Sequence, residues 1–75
     1  MRLRDLREDH DLTQVVLAQK LHIKQNTYSQ YENEQRQIPI SLLIQLSFLY
    51  GTSVDYILGI TEIQTPYPRS PGWKE

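Results

Sequence analysis

The stretch LTQVVLAQKLHIKQNTYSQYEN, residues 12–33, decides the fold because it contains two short helical patterns joined by about three residues. The first pattern predicts a helix of about eight residues with Thr13 as its N-cap. Its apolar stripe consists of Leu17, Ala18 and Leu21. The chain must then turn sharply, and His22 occupies a position where such turns commonly require φ above zero. The stretch therefore predicts two helices that pack across a tight turn.

The second pattern predicts a helix over Gln25–Asn33 with two chemically different faces. At about 100° per residue, Tyr28 and Tyr31 fall on one side and should point inward. The opposite arc, about 140° wide, carries only uncharged hydrogen-bonding side chains. They are Gln25, Asn26, Ser29, Gln30 and Asn33. This polar face is either a solvated helix surface or a binding surface.

The rest of the chain predicts three more helices and no strand. Helical spacing of apolar residues predicts a first helix over residues 2–9. Pro39 suits the start of a fourth helix, since a first-turn residue needs no backbone donor, and Gly51 would end that helix. Ser53 is placed to cap a short fifth helix, Val54–Leu58. We therefore expect an all-α bundle of five helices.

Helix-breaking residues dominate the end of the chain. Gly59 should terminate the fifth helix. Pro66, Pro68, Pro71 and Gly72 then exclude a continuous helix and favour an extended or turn-rich segment. We expect residues 1–59 to form the folded domain and residues 60–75 to form an extended Pro-rich C-terminal tail.

Composition excludes several classes of protein. A chain of 75 residues without cysteine can form neither a disulfide scaffold nor a cysteine zinc site. No apolar run approaches the roughly 18 residues needed to span a bilayer, and the first residues lack the apolar core of a signal peptide. These features favour a cytoplasmic protein without a membrane partner. The net charge of −1 gives no general attraction to nucleic acid, so any such binding must depend on local placement.

The sequence contains no arrangement typical of a metal site or an enzyme. His10 and His22 lie in two different loops, with no third ligand at a matching spacing. Its carboxylates and serines lack a paired base, a nucleophile motif or a Gly-rich phosphate loop. We therefore expect no catalytic residue, no metal and no cofactor.

Taken together, the motifs resemble those of the phage repressor and Cro-like helix-turn-helix domains, the XRE family. The matching parts are LTQ at 12–14, LA at 17–18, Leu21, the turn at 22–24, YEN at 31–33, IPI at 38–40 and SVDYILG at 53–59. The resemblance implies a repressor/Cro-like bundle that inserts its third helix into the major groove of double-stranded DNA. It also implies a homodimer that reads a palindromic operator and acts as a sequence-specific transcriptional regulator, in the first place a repressor. Occlusion of the operator and recruitment to it both stay open as the mechanism.

Site residues follow from the resemblance position by position. Those that would read bases are Gln25, Asn26, Ser29 and Gln30. Those that would contact the DNA backbone are Gln14, Lys24, Asn33 and Arg36. Arg7 and Glu32 match a structural ion pair that bridges the first and third helices.

Three positions depart from the family pattern. Lys24 stands where a serine or threonine often caps the third helix, and it offers a phosphate ligand instead. Glu34 replaces a frequent glycine, so the end of that helix should differ in shape. Val16 stands where a glutamate would complete the capping box with Thr13, which leaves a valine exposed.

The fourth helix is more apolar than one buried face requires. We expect a buried stripe of Ile40, Leu43, Ile44 and Ser47. Leu42, Phe48 and Leu49 would then be ordinary exposed residues, a homodimer contact, or a surface covered by the tail through Tyr67 or Trp73. This surface also supports a competing function, a protein-interaction module such as an antitoxin or adaptor with the same fold.

Overall fold

In a computed structural model, residues 1–66 are described, and they form five helices and no strand within that range. The helices are α1 (Leu3–Asp9), α2 (Gln14–Leu21), α3 (Gln25–Glu32), α4 (Ile40–Tyr50) and α5 (Val54–Leu58). The predicted all-α, five-helix architecture is confirmed. No helix within residues 1–66 has the length and apolar character needed to cross a membrane. Residues 67–75, which include Tyr67 and Trp73, lie outside the described part.

The helix ends follow from local backbone chemistry. The hydroxyls of Thr13 and Ser53 each accept a hydrogen bond from the backbone N–H three residues later, at 3.1 and 3.0 Å. His22 ends α2 with a φ of 57°, while Gly51 and Gly59 end α4 and α5 with φ values of 63° and 84°. The caps predicted at these five positions are therefore confirmed.

Three helix bounds differ by one residue from those predicted. Helix α1 begins at Leu3 rather than at residue 2, and α3 ends at Glu32 with Asn33 as its C-cap. Pro39 is the N-cap of α4 and not part of its first turn. Differences of this size are common at helix ends, where the last turn frays.

One hydrophobic core joins all five helices. The largest apolar and aromatic side chains that are fully buried in it are those of Leu3, Leu6, Leu17, Tyr28, Leu46 and Ile57. Helix α2 packs closely on α3, and α4 packs closely on α5. Because both tyrosines of α3 are buried, this helix is held by its aromatic side and leaves its polar side toward solvent.

The predicted buried face of α4 is wrong in part. Leu42, which we had expected to remain outside the core, is buried, whereas Ile40 at the start of the helix is 74% exposed. The buried positions of α4 are Leu42, Leu43, Leu46, Ser47 and Tyr50. A nearly uniform apolar pattern does not fix which face of the helix is buried. Ser47 is buried on both the predicted and the observed face, and its hydroxyl donates to the Thr52 carbonyl at 2.6 Å.

Residues 60–66, here called the C-terminal strap, contain no helix and are tied to the bundle. The Arg2 guanidinium donates to the carbonyls of Tyr56 and Thr61 at 2.6 and 3.0 Å and lies over the Tyr56 ring. The backbone N–H of Ser53 donates to the carbonyl of Gln64 at 2.8 Å. The strap thus connects the N-terminus of α1 to the N-terminus of α5.

Candidate nucleic-acid interface

The turn between α2 and α3 presents the polar face of α3 to solvent. His22 takes the left-handed conformation there, and Tyr28 and Tyr31 anchor α3 in the core. Of the polar residues, Gln25, Asn26 and Asn33 are exposed, while Ser29 and Gln30 are half-buried. The helix therefore offers amide and hydroxyl groups along one accessible side.

Gln14 connects the start of α2 with the start of α3. Its side-chain nitrogen Nε2 donates to Glu32 Oε1 at 3.3 Å, and its oxygen Oε1 accepts from Gln25 Nε2 at 3.5 Å. Gln14 is thus held between a carboxylate and the first residue of α3. The sequence indicated Gln14 as a DNA contact but gave no sign of this link to Gln25.

Glu32 is the centre of a network of charged hydrogen bonds at the last turn of α3. Arg7 donates to it twice, from Nε to Oε2 at 2.6 Å and from Nη2 to Oε1 at 3.3 Å. Arg7 also donates from Nη1 to the Leu12 carbonyl at 2.8 Å. The Glu32 side chain is 0% exposed and that of Arg7 is 14% exposed. The ion pair is therefore a buried bridge between α1 and α3.

The surroundings of Glu32 decide its ionisation. Burial opposes the charged form, but hydrogen bonds from Arg7, Gln14 and Arg4 outweigh this effect and hold the pKa of Glu32 below its ordinary value. The hydrogen bond to Glu32 raises the pKa of Arg7. Burial, with the nearby Glu32 charge, raises the pKa of Tyr28. Glu32 is therefore a carboxylate, and Tyr28 a neutral phenol, at neutral pH.

Arg4 belongs to this network, although the sequence prediction did not include it. Its Nε donates to Glu32 Oε1 at 3.3 Å, and its Nη2 donates to Asn33 Oδ1 at 3.0 Å. Asn33 in turn donates from Nδ2 to Ser29 Oγ at 3.4 Å. Arg4 lies three residues before Arg7 and so shares its helix face, which is the signal that could have identified it.

The remaining predicted backbone contacts lie around α3 without such anchoring. Lys24 is the exposed N-cap of α3, and its side chain does not cap the helix. Arg36 is exposed in the loop that follows α3, and no hydrogen bond within residues 1–66 holds its side chain. That loop leaves the helix through Glu34, whose φ of 57° is unusual for a residue other than glycine.

Both histidines have structural surroundings. His10 Nδ1 lies 2.9 Å from the Leu6 carbonyl, and the ring lies 4.7 Å from that of Tyr50. His22 caps α2. Within residues 1–66, no group of three or more histidine or acidic side chains could hold a metal ion.

Two helices packed across a tight turn, the second of which presents a polar face to solvent, form a helix-turn-helix unit. A family model described as helix-turn-helix matches residues 3–57. The chain belongs to this family, as its XRE-type motifs indicated. It is therefore a domain of the kind found in DNA-binding transcriptional regulators.

Curated relatives carry the same domain. The chain is 43% identical over 74 residues, 99% of its length, to the uncharacterized HTH-type transcriptional regulator YobD of Bacillus subtilis (strain 168), of which it covers 66%. It is 40% identical over 62 residues to the HTH-type transcriptional regulator ImmR of the same organism, covering 83% of this chain and 49% of ImmR. A third relative, the HTH-type transcriptional regulator PrpR of Mycobacterium tuberculosis (strain ATCC 25618 / H37Rv), is 40% identical over 55 residues, which are 73% of this chain and 11% of PrpR.

The chain thus spans two thirds or less of the length of each of these relatives. No solved structure matches it.

Proposed function

We propose that this chain is a sequence-specific DNA-binding transcriptional regulator that inserts α3 into the major groove of its operator. The observation that carries the proposal is the chain of hydrogen bonds from the buried carboxylate of Glu32 through Gln14 to Gln25. A glutamine on a merely solvated surface needs no such anchor. The contact between Gln14 and Gln25, at 3.5 Å, favours one orientation of the Gln25 amide and so reduces the conformational entropy that it loses on contact with a base.

The polarity of these hydrogen bonds favours adenine as the base that Gln25 reads. One N–H of the Gln25 amide points to Gln14, which leaves its carbonyl oxygen and its second N–H for a ligand. An adenine edge offers the complementary pair, a donor at N6 and an acceptor at N7. Asn26, Ser29 and Gln30 would read further bases along the groove.

Contacts to the DNA backbone would orient the domain. Lys24 adds a positive charge at the N-terminus of α3, where the partial positive charge of the helix also favours a phosphate. Gln14 lies beside this end, Asn33 lies at the other, and Arg36 follows in the loop. Because the net charge is −1, attraction to DNA has to come from this local arrangement.

Two copies of the chain would bind one palindromic operator, with half-sites about one helical turn apart. Each copy presents a single α3, and symmetric half-sites require a twofold arrangement of the protein. Leu49, which is exposed on α4, stays a candidate for the contact between copies, whereas the burial of Leu42 removes that residue from it. As a DNA-binding regulator of transcription, the protein would act in the cytoplasm.

A protein-interaction module with the same fold is the competing function. It would use apolar side chains that remain exposed, among them Val15 and Val16 on α2. Such a module would not require Gln25 to be fixed. The two functions therefore differ in whether α3 distinguishes one DNA sequence from another.

Selection of bound sequences from a random duplex pool, at about 0.1 M salt to weaken non-specific binding, tests the proposal. We expect a palindromic motif to be enriched. Gln25→Ala should lower the affinity by about 1–3 kcal/mol for each half-site and relax one base position there. Gln45→Ala, the same change at an exposed position of α4, is the control and should leave the motif unchanged.

Absence of any enriched motif with folded protein would refute sequence-specific binding and favour the interaction module. An equal loss of affinity by Gln25→Ala for the selected and a scrambled duplex would refute direct base reading by Gln25.

A further inference from the structure

The network around Glu32 has an excess of positive charge, and that excess faces solvent. Two guanidinium groups, those of Arg4 and Arg7, share the single negative charge of Glu32 at distances of 3.3 and 2.6 Å. Glu32 and Arg7 are buried, but the Arg4 side chain is 56% exposed. An approaching anion therefore meets the guanidinium of Arg4, while the compensating carboxylate is covered by protein.

Arg4 also keeps hydrogen-bond donors for a ligand. A guanidinium has five N–H groups, and Arg4 uses one from Nε toward Glu32 and one from Nη2 toward Asn33. The other three find no acceptor within residues 1–66. They lie in the plane of a group already fixed by two hydrogen bonds, a geometry that suits the oxygens of a phosphate.

The position of Arg4 complements the contacts at the start of α3. Gln14 and Arg4 both donate to the same oxygen of Glu32, yet Gln14 reaches Gln25 at one end of the helix and Arg4 reaches Asn33 at the other. From residue 25 to residue 33 the chain rises about 12 Å along the helix axis. Arg4 thus lies at the opposite end of α3 from the contact between Gln14 and Gln25.

We propose that Arg4 is a further DNA-contacting residue, which binds a backbone phosphate beside the C-terminal end of α3. Its hydrogen bond to Asn33 would also orient that side chain toward the backbone of the same DNA strand. This inference rests on the proposed insertion of α3 into DNA. It assigns to α1 a direct part in binding, in addition to its part in the core. A purely structural role is the competing explanation, because a cation beside the end of α3 also stabilises the helix dipole.

The dependence of affinity on salt distinguishes the two roles. The full chain, its Arg4→Met variant and a control, Lys20→Met, would be titrated with a selected duplex of about 24 base pairs, which holds two half-sites, and with a scrambled duplex. Lys20 is an exposed lysine in the last turn of α2, so the control removes the same charge outside the proposed interface. Affinity falls as salt rises, and each lost phosphate contact should make the negative slope of log affinity against log salt shallower by about 0.9 per protomer.

We expect the dependence of affinity on salt to be shallower for Arg4→Met on both duplexes and unchanged for Lys20→Met. Arg4→Lys should recover the wild-type dependence, since a lysine restores the charge. If Arg4→Met melts below the assay temperature, Arg4→Gln replaces it, because an amide can keep the hydrogen bond to Asn33. An unchanged slope together with a lower melting temperature would overturn the proposal in favour of the structural role. Wild-type protein that binds neither duplex would overturn the proposed function as well.

Discussion

Replacing Glu32 with glutamine would remove one negative charge from the centre of the domain with little change in side-chain shape. The Arg7 guanidinium would keep its hydrogen bond to the Leu12 carbonyl and could still donate to the amide oxygen of the new glutamine. It would lose the negative charge that Glu32 places beside it. Removing one partner from a buried ion pair costs about 3–5 kcal/mol. We expect a loss of about 3 kcal/mol for Glu32→Gln, because Arg7 retains some contact with water.

Such a loss is large for this domain. At about 0.05–0.15 kcal/mol per residue, a chain of 75 residues has a free energy of unfolding of about 4–11 kcal/mol. Since 1 kcal/mol shifts the melting temperature of a domain this small by about 4–8 °C, Glu32→Gln should melt about 12–24 °C below wild type. Urea denaturation followed by circular dichroism at pH 7 gives the free energy, and thermal melting gives an independent check.

The chain offers a matched control in Glu62→Gln. Glu62 pairs with Arg2 at 3.0 Å, but its side chain is 91% exposed. An exposed ion pair contributes about 0–1 kcal/mol, so the same chemical change should have little effect there. If both variants lost the same free energy, or if Glu32→Gln lost less than about 1 kcal/mol, Glu32 would not act as a desolvated partner of Arg7.

Three further variants or conditions test other parts of the structure. Because the pKa of Glu32 is lowered in the folded state, its contribution is complete above its ordinary value of 4.5 and is lost as pH falls through the folded pKa. The difference in unfolding free energy between wild type and Glu32→Gln should therefore shrink below that pH in urea titrations, and a constant difference would contradict the pKa direction. Leu42→Ala should cost about 2–5 kcal/mol as a core residue and Leu49→Ala less than about 1, while equal losses would contradict the burial of α4. Gly51→Ala should cost about 1–2 kcal/mol through its positive φ alone, since an added Cβ meets no atom within 4 Å, and an unchanged melting temperature would contradict that conformation.

The parts of the fold that local chemistry controls could be predicted from the sequence. Thr13 and Ser53 cap helices through hydroxyls that reach only three residues along the chain. Gly51 and Gly59 end helices because they adopt positive φ without strain. The bounds of α5 follow from its two caps and match the prediction residue for residue.

The buried face of α4 could not be predicted in the same way. All of its residues except Ser41, Gln45 and Ser47 are apolar or aromatic, so periodicity leaves the helix free to rotate about its axis. The observed orientation is the one in which α4 packs on α5 and joins the common core. The contact between the C-terminal strap and the bundle could not be predicted either. Prolines predict the absence of a helix but do not indicate which surface the segment contacts.

The candidate site divides along the same line. Gln25 and Asn26 could be proposed as base-reading residues because they follow a recognisable turn. The ion pair of Arg7 and Glu32 could be predicted because the two positions match a family pair, and the structure contains it. The links from Glu32 to Gln14 and Arg4 join residues that are 18 and 28 positions apart. The spacing of Arg4 and Arg7 places both on one face of α1, but it does not say which residue they contact. The contacts themselves form only when α1, α2 and α3 pack together.

These links also explain why a charge is kept in the interior. A well-packed apolar pair in place of Arg7 and Glu32 could be as stable or more so, because it would avoid the cost of removing two ions from water. It would offer no acceptor to Gln14 and none to Arg4. The two oxygens of Glu32 bind donors from α1 and α2 at once, and through them they fix groups at both ends of α3. The buried carboxylate is thus better explained by the positioning of the polar face than by the stability of the bundle.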